Sequence, residues 1–106
     1  MVEDKLLSVV VSAESFSNLY YVLRKLSSHS EAVRLLTDLE NIITIGTVTP
    51  DVVTQALSSG WRDFEDALQH FCAIHENCDV IVTRNTSDYR KASIPVYTPR
   101  EWLEEI

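Results

Sequence analysis

Two kinds of apolar pattern alternate along the chain, and each predicts a different secondary structure. Short runs rich in β-branched residues, bounded by polar residues, predict buried strands. The predicted strands are 6–12, 42–49, 79–83 and 94–98. Between them, apolar residues recur every three or four positions, which predicts helices with one apolar face. The predicted helices are 13–26, 30–40, 50–60, 62–76 and 99–106.

The order of these elements predicts the fold class. Strands and helices follow one another as β-α-α-β-α-α-β-β-α, and the helices between strands allow neighbouring strands to run parallel. We therefore expect a layered α/β fold with a mostly parallel sheet. Ser12 or Ser15 should cap the first helix, whose apolar stripe includes Phe16, Leu23 and Leu26.

Polar side chains follow the strand 79–83, at the end of a strand where parallel sheets bind their ligands. The segment DVIVTRNTSDYRK passes from this strand into a loop with neither glycine nor proline, and it carries Thr83, Asn85 and Asp88. Hydroxyl, amide and carboxylate oxygens can hold a hard cation or position a water molecule. The alternative is a solvated turn in which Asn85 and Asp88 bond to their own backbone.

Further acidic groups stand at the beginning of two predicted helices. In DFEDAL, Asp63 and Asp66 are three residues apart and therefore lie on one side of the helix 62–76. Alternatively they only complement the helix dipole, with Asp63 as the N-cap. Glu14 and Asn18 share one face of the first helix, and alternatively they form only a solvated surface.

If these acidic groups converge at one edge of the sheet, they can act together as one site. Clustered carboxylates repel one another unless a cation neutralises them, so the cluster predicts a Mg²⁺ or Mn²⁺ site for phosphodiester hydrolysis. Zinc is the competing metal. Its candidate ligands are His70, Cys72, His75 and Cys78. His70 and Cys72 point in roughly opposite directions on a helix, which disfavours a zinc site.

Composition and charge limit the location and the partners of the protein. We expect 1–106 to form a single domain, since 106 residues are near the commonest domain size. No apolar run reaches the roughly 18–20 residues of a membrane span, and acidic residues precede the first apolar run, unlike in a signal peptide. We therefore expect a cytoplasmic protein with no membrane partner. The net charge of −7 excludes nucleic-acid binding by bulk electrostatics alone, although Arg84, Arg90 and Lys91 suggest a local basic rim.

Four segments together resemble a PIN domain, specifically the bacterial subfamily often found as the toxin of toxin–antitoxin pairs. The segments are VSAESFSNLYYVLRK (11–25), DFEDALQHFCA (63–73), DVIVTRNTSDYRK (79–91) and IPVYTPREWL (94–103). They occur in the family's order and spacing, so the resemblance covers essentially the whole chain. It implies a PIN-like three-layer fold and an endoribonuclease that depends on Mg²⁺ or Mn²⁺.

The resemblance also implies roles for individual residues. Asp66 and Asp88 would bind the metal, and Asp63 would be a third catalytic residue beside them. The supporting residues would be Glu14, Asn18, Thr83 and Asn85, and the residues in contact with RNA phosphates would be Arg84, Arg90 and Lys91. The implied partners are an RNA substrate and a cognate antitoxin protein.

The sequence departs from the family pattern in two ways. The position on the first helix that is usually glutamate is Asn18 here, with Glu14 one turn away. The family also begins with a central strand that ends in aspartate, followed by a helix, and 1–106 contains no matching segment. Three explanations are open: a truncated product, closure of the gap by the chain's own strands, or a homo-oligomer that completes the sheet. A site with fewer acidic groups holds a cation less well, so the alternative function is a degenerate module for protein interaction or oligomerisation.

Overall fold

A computed structural model describes residues 7–105 of the protein, so residues 6 and 106 of the predicted elements lie outside the described residues. The strands are β1 (Val10–Ser12), β2 (Thr44–Gly46), β3 (Ile81–Val82) and β4 (Val96–Tyr97). The helices are α1 (Ala13–Leu26), α2 (His29–Glu40), α3 (Pro50–Ser58), α4 (Phe64–His75) and α5 (Pro99–Glu105). Each predicted element is present, but the strands are only two or three residues long. A 3-10 helix, Thr86–Tyr89, lies where the sequence predicted only a loop.

The four strands form two separate parallel pairs rather than one sheet. β1 pairs with β2, with Val10 opposite Thr44, and β3 pairs with β4, with Ile81 opposite Val96. Within residues 7–105, β1 and β3 do not pair with each other. The predicted α/β class and the parallel pairing are therefore confirmed. Closure of the gap by the chain's own strands is not observed in this part of the chain.

Short polar side chains begin the helices where the sequence predicts. The Ser12 hydroxyl accepts a hydrogen bond from the backbone N–H of Ser15, so Ser12 is the N-cap of α1. Thr49 caps α3 in the same way, and Pro50 stands in its first turn, where its fixed φ suits a helix. Because β1 ends at the cap of α1, the residues that follow the strand belong to a helical first turn, and Glu14 is one of them.

The core lies between α3 and α4, and β2 packs closely against it. Its buried residues are Val52, Ala56, Ala67, Leu68 and Cys72. A Cβ atom at Gly46 would lie 2.9 Å from Cγ1 of Val10 and 3.0 Å from Sγ of Cys72. A residue without a side chain is therefore needed where β2 passes between β1 and α4.

The apolar stripe of α1 is only partly covered. α1 contains no buried residue, and Leu26 is 80% exposed. The helix packs mainly against α2, where Ala32 is fully buried. One neighbouring helix covers only part of so wide an apolar stripe, so the end of α1 at Leu26 stays exposed. Among the described helices, none has the length and apolar content that crossing a bilayer requires.

Candidate functional site

Asp63 begins α4 and has a structural role of its own. Its Oδ1 atom accepts a hydrogen bond of 2.9 Å from the backbone N–H of Asp66. Asp63 is therefore the N-cap of α4, as the alternative interpretation of DFEDAL expects. The cap directs the backbone so that Asp66 stands in the first helical turn, next to the capping carboxylate.

The Asp66 carboxylate is partly buried and lies among other acidic groups. Burial is the largest cause that raises the pKa of Asp66 above its ordinary value, and repulsion from Asp63 and Asp88 raises it further. The Tyr89 hydroxyl lowers it in part. The helix start and the loop after β3 thus come together, and three of the predicted acidic residues share one electrostatic environment.

The loop after β3 holds Asp88 in a short 3-10 helix. The Thr83 hydroxyl accepts a hydrogen bond from the backbone N–H of Asn85, and the carbonyl of Asn85 accepts one from the N–H of Asp88. The Asn85 side chain makes no capping hydrogen bond. Tyr89 is buried. Local backbone bonding therefore shapes this loop, as the solvated-turn alternative expects, while the buried Tyr89 ties the loop to α4.

Glu14, in the first turn of α1, joins this acidic region through a residue of α4. Its Oε1 atom accepts a hydrogen bond of 3.2 Å from Nε2 of Gln69. Burial raises the pKa of Glu14, repulsion from Glu65 raises it further, the Gln69 hydrogen bond lowers it, and Asp63 adds a smaller repulsion. Asn18 is different: it is exposed and forms no hydrogen bond within the described part of the chain. The structure therefore brings Glu14, and not Asn18, to the start of α4.

The three predicted RNA-contacting residues lie within four residues of Asp88 along the chain, but they are not equivalent. Arg84 is exposed and forms no ion pair with another described residue. Nε of Arg90 donates to the carbonyl of Ser87. Nζ of Lys91 donates to the carbonyls of Ser59 and Gly60, which follow α3. Lys91 thus has a structural role at a helix C-terminus, whereas Arg84 is free to meet an anionic ligand.

Sequence reasoning did not identify the aromatic group behind the acidic residues. The His70 ring stacks on Trp61 with centroids 4.8 Å apart, and Trp61 meets Tyr89 edge to face at 5.6 Å. Nε2 of His70 accepts a hydrogen bond of 3.1 Å from the backbone N–H of Ser93. His70 is only 3% exposed, and burial lowers its pKa. The signal in the sequence is Tyr89, directly after Asp88. Its side chain is buried and anchors the loop.

The candidate metals differ in how well the residues fit them. In the range 7–105, no group of three His, Cys, Asp or Glu side chains is arranged to hold a metal ion. Zinc is therefore not supported, and burial raises the pKa of the Cys72 thiol to about 11, which keeps it protonated. Mg²⁺ is different because it commonly keeps several waters and takes only one or two carboxylates from the protein. Asp66 and Asp88 fit that requirement by number and by chemistry.

Comparison with known proteins identifies the family of the chain. The family model described as PIN domain matches residues 1–87. This range includes Glu14, Asp63, Asp66 and Asn85, and it ends one residue before Asp88. No curated protein matches the chain, and no solved structure does. PIN domains are generally nucleases, bind RNA and typically depend on a divalent metal. The chain belongs to the PIN domain family.

Proposed function

We propose that this chain is a PIN-type endoribonuclease that hydrolyses RNA phosphodiester bonds with Mg²⁺ or Mn²⁺. Membership of the PIN domain family supports the proposal, and so does the packing of the 3-10 helix Thr86–Tyr89 against α4, which brings Asp88 toward Asp63 and Asp66. Acidic groups that repel one another gain from a cation placed between them. The loop after β3 and the start of α4 supply these groups from distant parts of the sequence, which favours a functional cluster over a local surface feature.

Each acidic residue has a distinct task in this proposal. Asp66 and Asp88 would hold the cation, which would supply activation of water and neutralisation of charge on the phosphate. Oδ1 of Asp63 accepts the hydrogen bond of the helix cap. The second carboxylate oxygen can therefore accept a proton or a hydrogen bond from water. Glu14 adds a further carboxylate from the side of α1, and its hydrogen bond from Gln69 holds it toward α4.

The polar and basic residues position the RNA and the loop. Thr83 and Asn85 fix the start of the 3-10 helix through the Thr83 hydroxyl, and this places Asp88. Arg84 and Arg90 meet substrate phosphates, since both are exposed and lie within four residues of Asp88 along the chain. Lys91 contributes mainly by tying the loop to the end of α3. Asn18, an exposed residue of α1, offers an amide to the RNA but has no place among the acidic residues.

The site has less negative charge than the family pattern implies, so we expect slow cleavage that favours Mn²⁺. The test is cleavage of a fluorescently labelled single-stranded RNA with Mn²⁺, with Mg²⁺ and with EDTA. Asp66→Asn and Asp88→Asn should each abolish metal-dependent cleavage. Asp51→Asn is the matched control because it removes an exposed carboxylate from the first turn of α3, away from the cluster. Cleavage that persists in Asp66→Asn would contradict the assignment.

The proposed cellular role is that of the toxin in a toxin–antitoxin pair. In that role the cleavage of cellular RNA would arrest growth, and a cognate antitoxin protein would cover the acidic cluster. Induced expression should slow growth for the native chain and not for Asp66→Asn at equal abundance. Equal growth with both chains would leave a nuclease with another role.

A second candidate is a noncatalytic interaction module. The separate sheets favour it, because β1 and β3 each pair on one side only within residues 7–105. In its simplest form a second copy of the chain completes the sheet. That form predicts a dimer by light scattering at micromolar concentration and no metal-dependent cleavage. A stable monomer at the same concentration would contradict the homo-oligomer.

A further inference from the structure

The two parallel strand pairs face each other across a cleft of about 730 Å³. Residues 7–12 line one wall, residues 77–83 line the other, and Cys72 and Ala73 of α4 lie between them. The two walls therefore contain β1 and β3 with the residues that precede each strand. Both walls are stretches of consecutive backbone, which makes the cleft a groove between two strand edges rather than a cavity among side chains.

The hydrogen bonds of the two pairs show which backbone groups face the cleft. The N–H of Thr44 donates to the carbonyl of Val9, so the residues on either side of Val10 bond to β2. In a parallel ladder, alternate residues direct their N–H and C=O groups to opposite sides. Val10 therefore directs its backbone groups away from β2. Outside helices and strand pairs, no backbone hydrogen bond in the described residues involves Val10.

The same argument applies to β3. The N–H of Ile81 donates to the carbonyl of Pro95 at 3.0 Å, and the N–H of Thr83 donates to the carbonyl of Tyr97 at 2.9 Å. Val82, between them, therefore directs its N–H and C=O groups away from β4. Its side chain is 44% exposed. Unpaired backbone groups on a strand edge are a template for another strand, and here two such edges share one groove.

The two edges also run in the same direction relative to α4. β1 leads into Glu14, which bonds to Gln69 in the first half of α4. β3 begins after the C-terminus of α4, and the segment that follows it returns to Asp66 and His70. Both strands thus run toward the start of α4. A further strand in that direction would run parallel to both edges, in the orientation that a single parallel sheet of all the strands requires.

We propose that this cleft binds an extended segment of another polypeptide, which pairs in parallel with β1 and β3. The segment has about five or six residues, the common length of a strand. It is apolar on both faces, as strands inside a parallel sheet are. It carries lysine or arginine before the apolar residues, because Glu76 and Asp79 line the end of the cleft where β3 begins. This acceptor role does not rest on the proposed nuclease activity.

Charge distinguishes this partner from a second copy of the chain. The residues before β1 include Glu3, Asp4 and Lys5, with a net charge of −1, and β3 is preceded by Asp79. Neither strand of a second copy would therefore bring a net positive charge to Glu76 and Asp79, in a chain whose net charge is already −7. A segment with basic residues at its amino end is therefore the complementary occupant.

The test is fluorescence anisotropy with a labelled synthetic peptide of two lysines followed by about six alternating valine and isoleucine residues. Two peptide controls keep its apolar content. In the first, alternate backbone nitrogens are methylated, which removes the donors that pair with a strand edge. In the second, two glutamates replace the lysines. All titrations contain EDTA, so the outcome does not depend on metal binding or on RNA cleavage.

Two protein variants complete the experiment. Val82→Pro removes an N–H that faces the cleft and leaves the bonds of Ile81 and Thr83 to β4, since proline is tolerated where an edge N–H is unpaired. Val82→Ala is the matched control, because it shortens the same side chain and keeps the N–H. Urea unfolding of both variants verifies that they fold. Should Val82→Pro not fold, the methylated peptide tests the same hydrogen bonds on the native chain.

The native chain and Val82→Ala should bind the lysine peptide with similar affinity. Val82→Pro, the methylated peptide and the glutamate peptide should each weaken binding about tenfold or more. Equal binding of the methylated peptide would overturn the proposal, because it would show adsorption to an apolar surface. So would an absence of binding, or a dimer by light scattering that Val82→Pro converts to monomer, since a second copy would then occupy the cleft.

Discussion

The Glu14 carboxylate accepts a hydrogen bond from the Gln69 amide at 3.2 Å, across 55 residues of sequence. This bond joins the first turn of α1 to α4 and places a carboxylate that follows β1 beside the acidic start of α4. Burial raises the pKa of Glu14 most, and repulsion from Glu65 and Asp63 raises it further, so the Gln69 amide offsets part of an unfavourable environment for the charge. Four predictions follow from this and from the other contacts of the site.

Gln69→Glu should destabilise the protein at neutral pH by about 1–2 kcal/mol, because it replaces a hydrogen bond to a carboxylate with a pair of like charges. The free energy of unfolding in urea measures the effect. Adding Glu14→Gln restores one carboxylate and one amide in exchanged positions, so the double variant should recover most of the loss. A double variant as unstable as the sum of the single changes would show that the two residues do not interact.

Asp63→Ala should lower the free energy of unfolding by about 1 kcal/mol, since α4 loses its N-cap. Asp63→Asn should change the free energy of unfolding by only about a few tenths of a kcal/mol, because asparagine caps a helix about as well as aspartate. The asparagine variant therefore isolates the charge of Asp63. If Asp63 takes part in catalysis, Asp63→Asn should cleave RNA more slowly. Its midpoint of unfolding in urea should be the same as that of the native chain. Equal cleavage would restrict Asp63 to capping.

Stability should fall as the pH is lowered through the ordinary histidine range, because of His70. Burial lowers the pKa of His70 below its ordinary value of 6.5, so the unfolded chain binds the proton first. The contribution of His70 is fully present above that value and is lost toward the lower pKa of the folded state, with a slope of at most about 1.4 kcal/mol per pH unit. Urea unfolding between pH 5 and 7.5 measures it.

His70→Gln is the informative variant for this dependence, because its amide oxygen can still accept the N–H of Ser93 but does not titrate. It should flatten the dependence over that range. His75→Gln removes another histidine of α4 and leaves His70 intact, so the native dependence should persist there. A dependence unchanged in His70→Gln would assign it to other groups.

Gly46→Ala should lower the free energy of unfolding by about 1–3 kcal/mol, since the new methyl group would lie 2.9 Å from Val10 and 3.0 Å from Cys72. Thermal unfolding measures the loss. Val10→Ala makes room on one side, so the double variant should lose less than the sum of the two single losses. Additive losses would mean that Val10 is not the obstructing side chain.

The sequence was sufficient for features that depend on near neighbours. The caps at Ser12 and Asp63 follow from a hydroxyl or carboxylate placed three residues before the N–H that it binds, and the helices begin where this spacing predicts. Asp66 and Asp88 were placed correctly at a helix start and in a loop after a strand. The roles of both residues in metal binding stay predictions until metal-dependent cleavage is measured.

Other features depended on contacts between distant parts of the chain. The periodicity of α1 predicts which residues share a face, but whether that face is buried depends on what packs there, and Leu26 is exposed. In the same way, the position of His70 in a predicted helix does not reveal its contacts. Its ring stacks on Trp61 and accepts a hydrogen bond from the backbone N–H of Ser93. The burial of Tyr89 beside Asp66 was equally invisible in the sequence.

By itself, then, the sequence determined the order of helices and strands, their starting residues, the acidic groups and the family pattern, because each of these is set by residues a few positions apart. Only the tertiary structure decided that the strands form two parallel pairs, with Val10 and Val82 on the two sides of one cleft and without backbone partners among residues 7–105. Strand pairing joins segments tens of residues apart, and its outcome depends on which edges the rest of the fold brings within hydrogen-bonding distance.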